Sequence, residues 1–189
     1  MQRSPWSSRL YATVVFYPTL CWNYLLGRWL KVRNWWDPID PLVLVGAYPF
    51  VSDVQRLHEA GVRAVVNTCE EYRGPVIQSK RMGIEQFSIP TTDFTHPRLG
   101  DVQAAVEFIQ QHVQRGDVVY IHCKAGRARS ATVALCWLVK YREMTVEQAQ
   151  LHLLHARPHI NPHLHQRPVV RLFADALEKQ RGLTDEGSS

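Results

Sequence analysis

The feature that most constrains this 189-residue chain is an apolar strand that runs through a cysteine-containing loop into an apolar helix. The strand is Val118-Val-Tyr-Ile-His122, the loop begins at Cys123, and the helix continues through Ala131-Thr-Val-Ala-Leu-Cys-Trp-Leu138. A continuous apolar strand is typical of a parallel sheet that is covered on both faces. The segment therefore predicts an α/β fold with the loop at the carboxyl edge of the sheet.

The chain from about Asp37 onward alternates β-branched runs with amphipathic stretches, which supports the same fold class. We expect further strands at 42–45, 62–67 and 84–89 and helices at 53–60, 101–114, 127–141, 145–155 and 168–180. This alternation predicts a mostly parallel central sheet flanked by helices. The length suits one catalytic domain at 37–181, with an N-terminal segment at 1–36 and a flexible tail at 182–189.

The loop Cys123-Lys-Ala-Gly-Arg-Ala-Arg129, here called the signature loop, has the composition of a phosphate-binding site. Its backbone N–H groups can converge on an anion at the helix N-terminus, and Gly126 permits a tight turn. The same positive field lowers the pKa of Cys123, and a thiolate can accept a phosphoryl group as a nucleophile. We assign catalysis to Cys123, Arg129 and Ser130, and phosphate binding to Lys124, Ala125, Gly126, Arg127, Ala128 and Arg129.

The string His122-Cys-Lys-Ala-Gly-Arg-Ala-Arg-Ser130 resembles the signature of the protein tyrosine and dual-specificity phosphatases. Other segments are similar to the mitochondrial members that dephosphorylate phosphatidylglycerophosphate: Phe16-Tyr-Pro-Thr19, Ile39-Asp-Pro41, Val45-Gly-Ala-Tyr-Pro49, Glu70-Glu-Tyr72 and Thr92-Asp-Phe-Thr95. The resemblance implies a dual-specificity phosphatase-like fold, a phosphocysteine intermediate and no cofactor. Arg73 and Ala128 depart from it, because these enzymes have a glutamate and a serine there.

A cysteine-dependent phosphatase also needs an acid to protonate the leaving alkoxide. Asp93 is the candidate, because it follows a predicted strand in a proline-flanked loop about thirty residues before Cys123, as the acid of the resembled family does. Asp101 is the fallback, although its position also suits a helix N-cap.

Supporting roles are expected for residues around the signature loop. Glu70 and Glu71 end a neighbouring strand, and the resemblance gives their loop the task of steadying Arg129. His122 is expected to orient the signature loop, and Gln166 is a candidate for positioning the hydrolytic water.

Cys69 closes the run Val62-Arg-Ala-Val-Val-Asn-Thr-Cys69, which contains the predicted strand at 62–67, and therefore lies at the same sheet edge as Cys123. Val66-Asn-Thr-Cys69 also resembles the strand end that carries the backup cysteine of a phosphoinositide phosphatase. A nearby thiol can capture an oxidised nucleophile as a disulfide. Cys69 is thus a candidate redox residue, with a packed core cysteine as the alternative.

The histidines at 152, 155, 159, 163 and 165 could suggest a metal site, but prolines interrupt their spacing and no acidic or cysteine ligand accompanies them. We expect no metal.

The charge distribution argues against a nucleic-acid partner. Five of the 22 Lys and Arg residues precede Asp37, the first acidic residue. The rest of the chain therefore has 17 basic and 17 acidic residues and lacks the excess of positive charge that nucleic-acid binding needs.

The N-terminal segment 1–36 has no acidic residue and is uncharged from Leu10 to Leu26. Such a segment suits an organellar presequence or an anchor on an anionic membrane surface. A secretory signal and a helix packed on the domain remain alternatives. A full membrane span would need about 20 apolar residues, and this run contains Pro18 and Asn23.

Lys124 and Arg127 supply positive charge beyond Arg129, which favours a substrate with a second phosphate. The expected partners are an anionic phospholipid substrate, phosphatidylglycerophosphate, and the matrix side of the mitochondrial inner membrane; the oligomeric state stays open. The alternatives are a dual-specificity protein phosphatase, a phosphoinositide phosphatase and a silent phospholipid-binding module.

Overall fold

The computed structural model describes residues 34–91 and 97–186. They form a five-stranded sheet in the order β1-β2-β5-β3-β4, in which β1 is antiparallel to β2 and the other neighbours are parallel. The strands are β1 (Trp36–Asp40), β2 (Val43–Gly46), β3 (Val62–Cys69), β4 (Glu85–Thr91) and β5 (Val118–His122). The helices are α1 (Val54–Glu59), α2 (Val76–Arg81), α3 (Leu99–Gln114), α4 (Arg129–Tyr141), α5 (Val146–Ala156) and α6 (Pro168–Glu186). The predicted mostly parallel α/β fold is confirmed.

The central strand β5 shows why the sheet is covered on both faces. Val119 and Ile121 point into the larger apolar cluster with α3, α4, α5 and α6, whereas Tyr120 points into a smaller cluster with α1. Alternate residues of a strand face opposite sides, so β5 is buried on both faces from Val119 to His122. Helix α4 packs in the larger apolar cluster and is buried at every position from Arg129 to Leu138.

The four predicted strands and five predicted helices are present, with ends shifted by at most two residues except at the end of α6. Two elements were not predicted. Strand β1 contains two acidic residues and Pro38, which an edge strand tolerates. The apolar residues of helix α2, Val76 and Ile77, are adjacent at its start, so no apolar residues three or four positions apart indicate a helix there.

Several predicted boundaries need correction. Trp35 is buried and β1 begins at Trp36, so the domain starts before Asp37. Helix α6 continues to Glu186, so residues 182–186, predicted as a flexible tail, are helical. Arg98 is the N-cap of α3, which places Asp101 in the first helical turn rather than at the cap.

Two sets of predictions fall outside the described residues. They concern the N-terminal segment up to residue 33 and the segment 92–96, which contains Asp93. Within the two described ranges, no helix combines the length and apolarity needed to cross a bilayer.

Candidate active site

The signature loop connects the end of β5 to the start of α4 and depends on two glycines. Gly126 has a φ of +64°, and a Cβ atom built on it would lie 2.4 Å from the carbonyl carbon of Gly46 at the end of β2. A Cβ on Gly46 would in turn lie 2.4 Å from the hydroxyl oxygen of Tyr120. The loop and the end of β2 therefore pack backbone against backbone, and neither position can carry a side chain without displacing its neighbours.

Cys123 is the buried centre of the loop. Its Sγ accepts hydrogen bonds from the Gly126 N–H at 3.2 Å and from the Ser130 hydroxyl at 3.3 Å. Burial alone would raise the pKa of Cys123, but the Arg129 charge and hydrogen bonds from Ser130 and the Arg127 N–H outweigh it and lower the pKa to about 7. Cys136, buried in α4, has its pKa raised by burial alone. The position at the helix start makes Cys123 the reactive thiol.

Arg129 is held from two neighbouring strand ends. Its Nη1 donates to the Glu71 carboxylate at 2.8 Å and to the Thr91 carbonyl at 2.7 Å. The Glu70 N–H also donates to the Thr91 carbonyl, at 3.3 Å, which ties the loop after β3 to the end of β4. These contacts fix the arginine before any substrate binds. Asp93 lies only two residues beyond Thr91 in the sequence.

Asn67 shapes the loop that carries Glu71, and the sequence did not single it out. Its side-chain amide donates to the Tyr72 carbonyl at 2.6 Å, and its Oδ1 accepts from the Cys69 N–H at 2.8 Å. Thr68 next to it donates to the His122 carbonyl at 2.9 Å. The end of β3 is therefore bonded both to its own loop and to the strand that carries the thiol.

His122 is fully buried and stacks on Tyr120, with ring centroids 5.7 Å apart. Burial, with a smaller contribution from Arg129, lowers the pKa of His122 to about 3. The ring is thus neutral at physiological pH. A neutral buried imidazole suits the expected orienting role and does not suit a general acid.

The family is decided by comparison with known proteins. Residues 43–175 match the dual specificity phosphatase catalytic domain. This chain belongs to the dual specificity phosphatase family. It is therefore a phosphatase, and the expected family is confirmed.

Three relatives are most informative for this phosphatase. It is 40% identical over 164 residues to the Arabidopsis thaliana phosphatidylglycerophosphate phosphatase PTPMT2, covering 85% of this chain and 72% of that protein. It is 36% identical over 171 residues to the Homo sapiens phosphatidylglycerophosphatase and protein-tyrosine phosphatase 1, covering 86% of this chain and 85% of that protein. The crystal structure of PTPMT1 in complex with PI(5)P superposes with a TM-score of 0.71 at 29% identity, covering 78% of this chain and 99% of that one.

Arg157 is a buried residue of this phosphatase whose contacts sequence reasoning missed. Its Nε donates to the Gly126 carbonyl at 2.9 Å and its Nη2 to the Ala125 carbonyl at 3.3 Å. A trans peptide points its C=O and N–H in opposite directions. By holding the Ala125 carbonyl, Arg157 therefore directs the Gly126 N–H toward Cys123.

The other end of Arg157 reaches the N-terminal edge of the domain. Its Nη1 donates to the Asn34 carbonyl at 3.2 Å and forms a buried ion pair with Asp37. No local pattern signals this role, because Asp37 lies 120 residues away in the sequence.

The two extra cations of the signature loop have different surroundings. Lys124 is buried, and its carbonyl accepts from the Tyr48 N–H at 3.3 Å. Arg127 is exposed, and its Nε donates to the His159 carbonyl at 2.7 Å. Arg127 thus ties the loop to the turn after α5 and keeps its guanidinium at the surface.

Arg167 is a third cation near the loop and was not predicted. Its Nη1 donates to the Thr132 hydroxyl at 2.9 Å, and that hydroxyl donates to the Ala128 carbonyl at 2.8 Å. Burial and the Arg129 charge lower the pKa of Arg167, while Cys123 opposes the shift. Gln166, the candidate for positioning water, immediately precedes it and is exposed at the end of a short 3-10 turn.

The histidines and Cys69 are the remaining residues that the sequence analysis singled out. His152 is hydrogen-bonded to the Ile39 carbonyl at 2.7 Å, and the His165 N–H donates to the Gln150 side chain at 3.2 Å. Residues 34–91 and 97–186 contain no group of three His, Cys, Asp or Glu arranged to hold a metal ion. Cys69 is buried at the end of β3, where Asn67 pairs in register with His122.

Proposed function

We propose that this phosphatase hydrolyses the terminal phosphomonoester of phosphatidylglycerophosphate through a phosphocysteine intermediate and releases phosphatidylglycerol. The observation that carries the proposal is the Cys123 thiol with a pKa of about 7, buried beside Arg129 in a loop of converging N–H groups. A thiolate at neutral pH inside an anion-binding loop is suited to accept a phosphoryl group.

In the first step, the Cys123 sulfur forms a bond to phosphorus while the bond from phosphorus to the glycerol oxygen breaks. Asp93 gives its proton to that oxygen, so the lipid leaves as an alcohol. Arg129, fixed by Glu71 and Thr91, forms two hydrogen bonds to the phosphoryl oxygens and stabilises their charge.

In the second step, water attacks phosphorus and gives a proton to the Asp93 carboxylate. The sulfur–phosphorus bond breaks, and inorganic phosphate leaves. Ser130, whose hydroxyl lies 3.3 Å from the Cys123 sulfur, donates a hydrogen bond to the departing thiolate. Gln166 is assigned to the positioning of the water.

A lipid substrate is supported by the relatives, two of which are named for phosphatidylglycerophosphate and one of which was crystallised with a phosphoinositide. Lys124, Arg127 and Arg167 surround the loop with positive charge that a substrate with a second phosphate would use. Protein phosphatase activity is the second candidate, because the human relative is also named a protein-tyrosine phosphatase.

The proposed location is the matrix side of the mitochondrial inner membrane. Residues 1–33 carry five cations and no acidic residue, which supports attachment to an anionic membrane surface. There the phosphatase would supply phosphatidylglycerol for cardiolipin synthesis.

The test is phosphate release from phosphatidylglycerophosphate, phosphoinositides and a phosphotyrosine peptide, measured side by side with the full chain. We expect kcat/KM to be at least about tenfold higher for phosphatidylglycerophosphate, which corresponds to about 1.4 kcal/mol. Cys123→Ser is the control and should abolish turnover on every substrate, because a hydroxyl at this position does not ionise near neutral pH. A preference for the phosphopeptide would refute the lipid assignment.

A further inference from the structure

Three exposed apolar side chains lie on two segments that leave the carboxyl edge of the sheet. Val51, which opens the 3-10 turn after β2, is 56% exposed. Val76 and Ile77, which begin α2 after the loop of β3, are 43% and 65% exposed. Exposed apolar side chains beside an active site often mark an interaction surface. We call these three residues the rim patch.

The two segments pack together beside the active site. The Tyr48 and Tyr72 rings stack with centroids 3.6 Å apart, and the Tyr72 hydroxyl donates to the Pro49 carbonyl at 3.5 Å. Pro49 and Pro75, which lie within two residues of the rim patch, line one small cavity. The loop before Pro75 also carries Glu71, which holds Arg129. The rim patch therefore lies at the same edge of the sheet as the signature loop.

Basic residues follow the apolar ones along α2. Lys80 and Arg81 are exposed and come four residues after Val76 and Ile77, so each lies on the same face of the helix as its apolar partner. Because β4 is parallel to β3, α2 carries the chain away from the carboxyl edge. The charges therefore lie about 6 Å farther from that edge than the apolar side chains.

We propose that the rim patch docks the catalytic domain onto an anionic bilayer. Val51, Val76 and Ile77 enter the interface, while Lys80 and Arg81 meet the phosphate headgroups. The offset of about 6 Å between apolar and basic side chains suits insertion to a depth of about 5–10 Å. Positive charge at this level is complementary to the negative surface of such a membrane.

This inference rests on the proposed lipid substrate. The phosphoglycerol headgroup of that substrate lies at the bilayer surface, and its acyl chains stay in the hydrocarbon. The thiol can reach the headgroup only if the carboxyl edge of the sheet faces the membrane. The rim patch would set that orientation, in addition to any attachment by residues 1–33.

The experiment compares full-length Ile77→Glu with two matched controls, Leu151→Glu and Leu172→Glu. These leucines are 67% and 53% exposed on α5 and α6, which both pack on α4. Each variant is assayed on phosphatidylglycerophosphate in phosphatidylglycerol-containing vesicles, on the same lipid in detergent micelles, and on a soluble aryl phosphate.

We expect Ile77→Glu to lower kcat/KM on vesicles about tenfold or more and to leave aryl phosphate hydrolysis within about twofold of the unmodified protein. The control variants should match the unmodified protein on all three substrates. Lys80→Glu combined with Arg81→Glu should reduce the salt-sensitive part of vesicle binding.

Equal vesicle activity of Ile77→Glu and Leu151→Glu would overturn the docking surface and leave the rim patch as a candidate contact for a protein partner. Failure of the proposed function looks different. In that case the unmodified phosphatase would not release phosphate from phosphatidylglycerophosphate even in detergent micelles, where no bilayer docking is needed.

Discussion

Arg157→Lys separates the two tasks of the arginine behind the signature loop. Lysine keeps the positive charge beside Asp37, but it cannot bridge the Ala125 and Gly126 carbonyls as the guanidinium does at 3.3 and 2.9 Å. The Gly126 N–H then loses its fixed direction toward the Cys123 sulfur. We therefore expect the pKa of Cys123 to rise above its value of about 7 and kcat to fall by roughly 10-fold to 100-fold.

The stability effect follows from the burial of Arg157 and Asp37. Arg157→Ala leaves the Asp37 carboxylate buried without its cation, and breaking a buried pair in this way costs about 3–5 kcal/mol. For a domain of this size, each 1 kcal/mol lowers Tm by about 2–4 °C. Arg157→Lys should lose much less, because the charge remains.

The assay measures the rate of Cys123 alkylation by iodoacetamide across pH, together with kcat and Tm. Asp37→Asn is the matched control, because it removes the ion pair but leaves the hydrogen bonds from Arg157 to the loop. It should lower Tm while shifting the alkylation midpoint little. An unchanged alkylation midpoint and kcat in Arg157→Lys would show that Arg157 does not orient the loop.

Four further predictions concern single residues of the site. The kcat/KM of the phosphatase should rise with pH through about 7 as Cys123 ionises, and Ser130→Ala should move this midpoint upward because it removes a hydrogen bond to the thiolate; an unmoved midpoint would contradict the contact. Asp93→Ala should lower kcat by roughly 10²–10⁴ on an alkyl phosphate and much less on an aryl phosphate, and equal losses would remove Asp93 from the acid role. Arg167→Gln should raise KM for phosphatidylglycerophosphate about tenfold with little effect on an aryl phosphate, whereas the exposed Arg171→Gln should change neither. After mild peroxide, thiol should restore less activity to Cys69→Ser than to the unmodified protein, and full recovery without a bridge from Cys69 to Cys123 would leave Cys69 as a core residue.

The chemistry of the site could be predicted because its central residues are neighbours in the chain. Cys123, Gly126, Arg129 and Ser130 fall within eight residues between an apolar strand and an apolar helix. Such a strand, loop and helix place backbone N–H groups at a helix start whatever the rest of the protein contributes. The parallel sheet was predictable for a similar reason, since β2 and β5 are short runs of almost entirely apolar residues, as expected of strands that are covered on both faces.

Elements without a local pattern became visible only in the structure. Strand β1 has acidic residues at two of its five positions and lies at the sheet edge, where pairing with β2 rather than its own sequence makes it a strand. Helix α2 is short and is placed by the chain's return from the end of β3 to the start of β4.

The supporting residues depended on tertiary structure most of all. Arg129 is held by Glu71 and Thr91, which lie 58 and 38 residues away, and Arg157 reaches Asp37 across 120 residues. A single sequence carries signals for helices, strands and contiguous motifs, because these repeat over a few residues. A single sequence carries no such signal for Arg157, which connects the signature loop to Asp37 of β1. That contact exists only after the sheet has formed and brought both ends of the domain together.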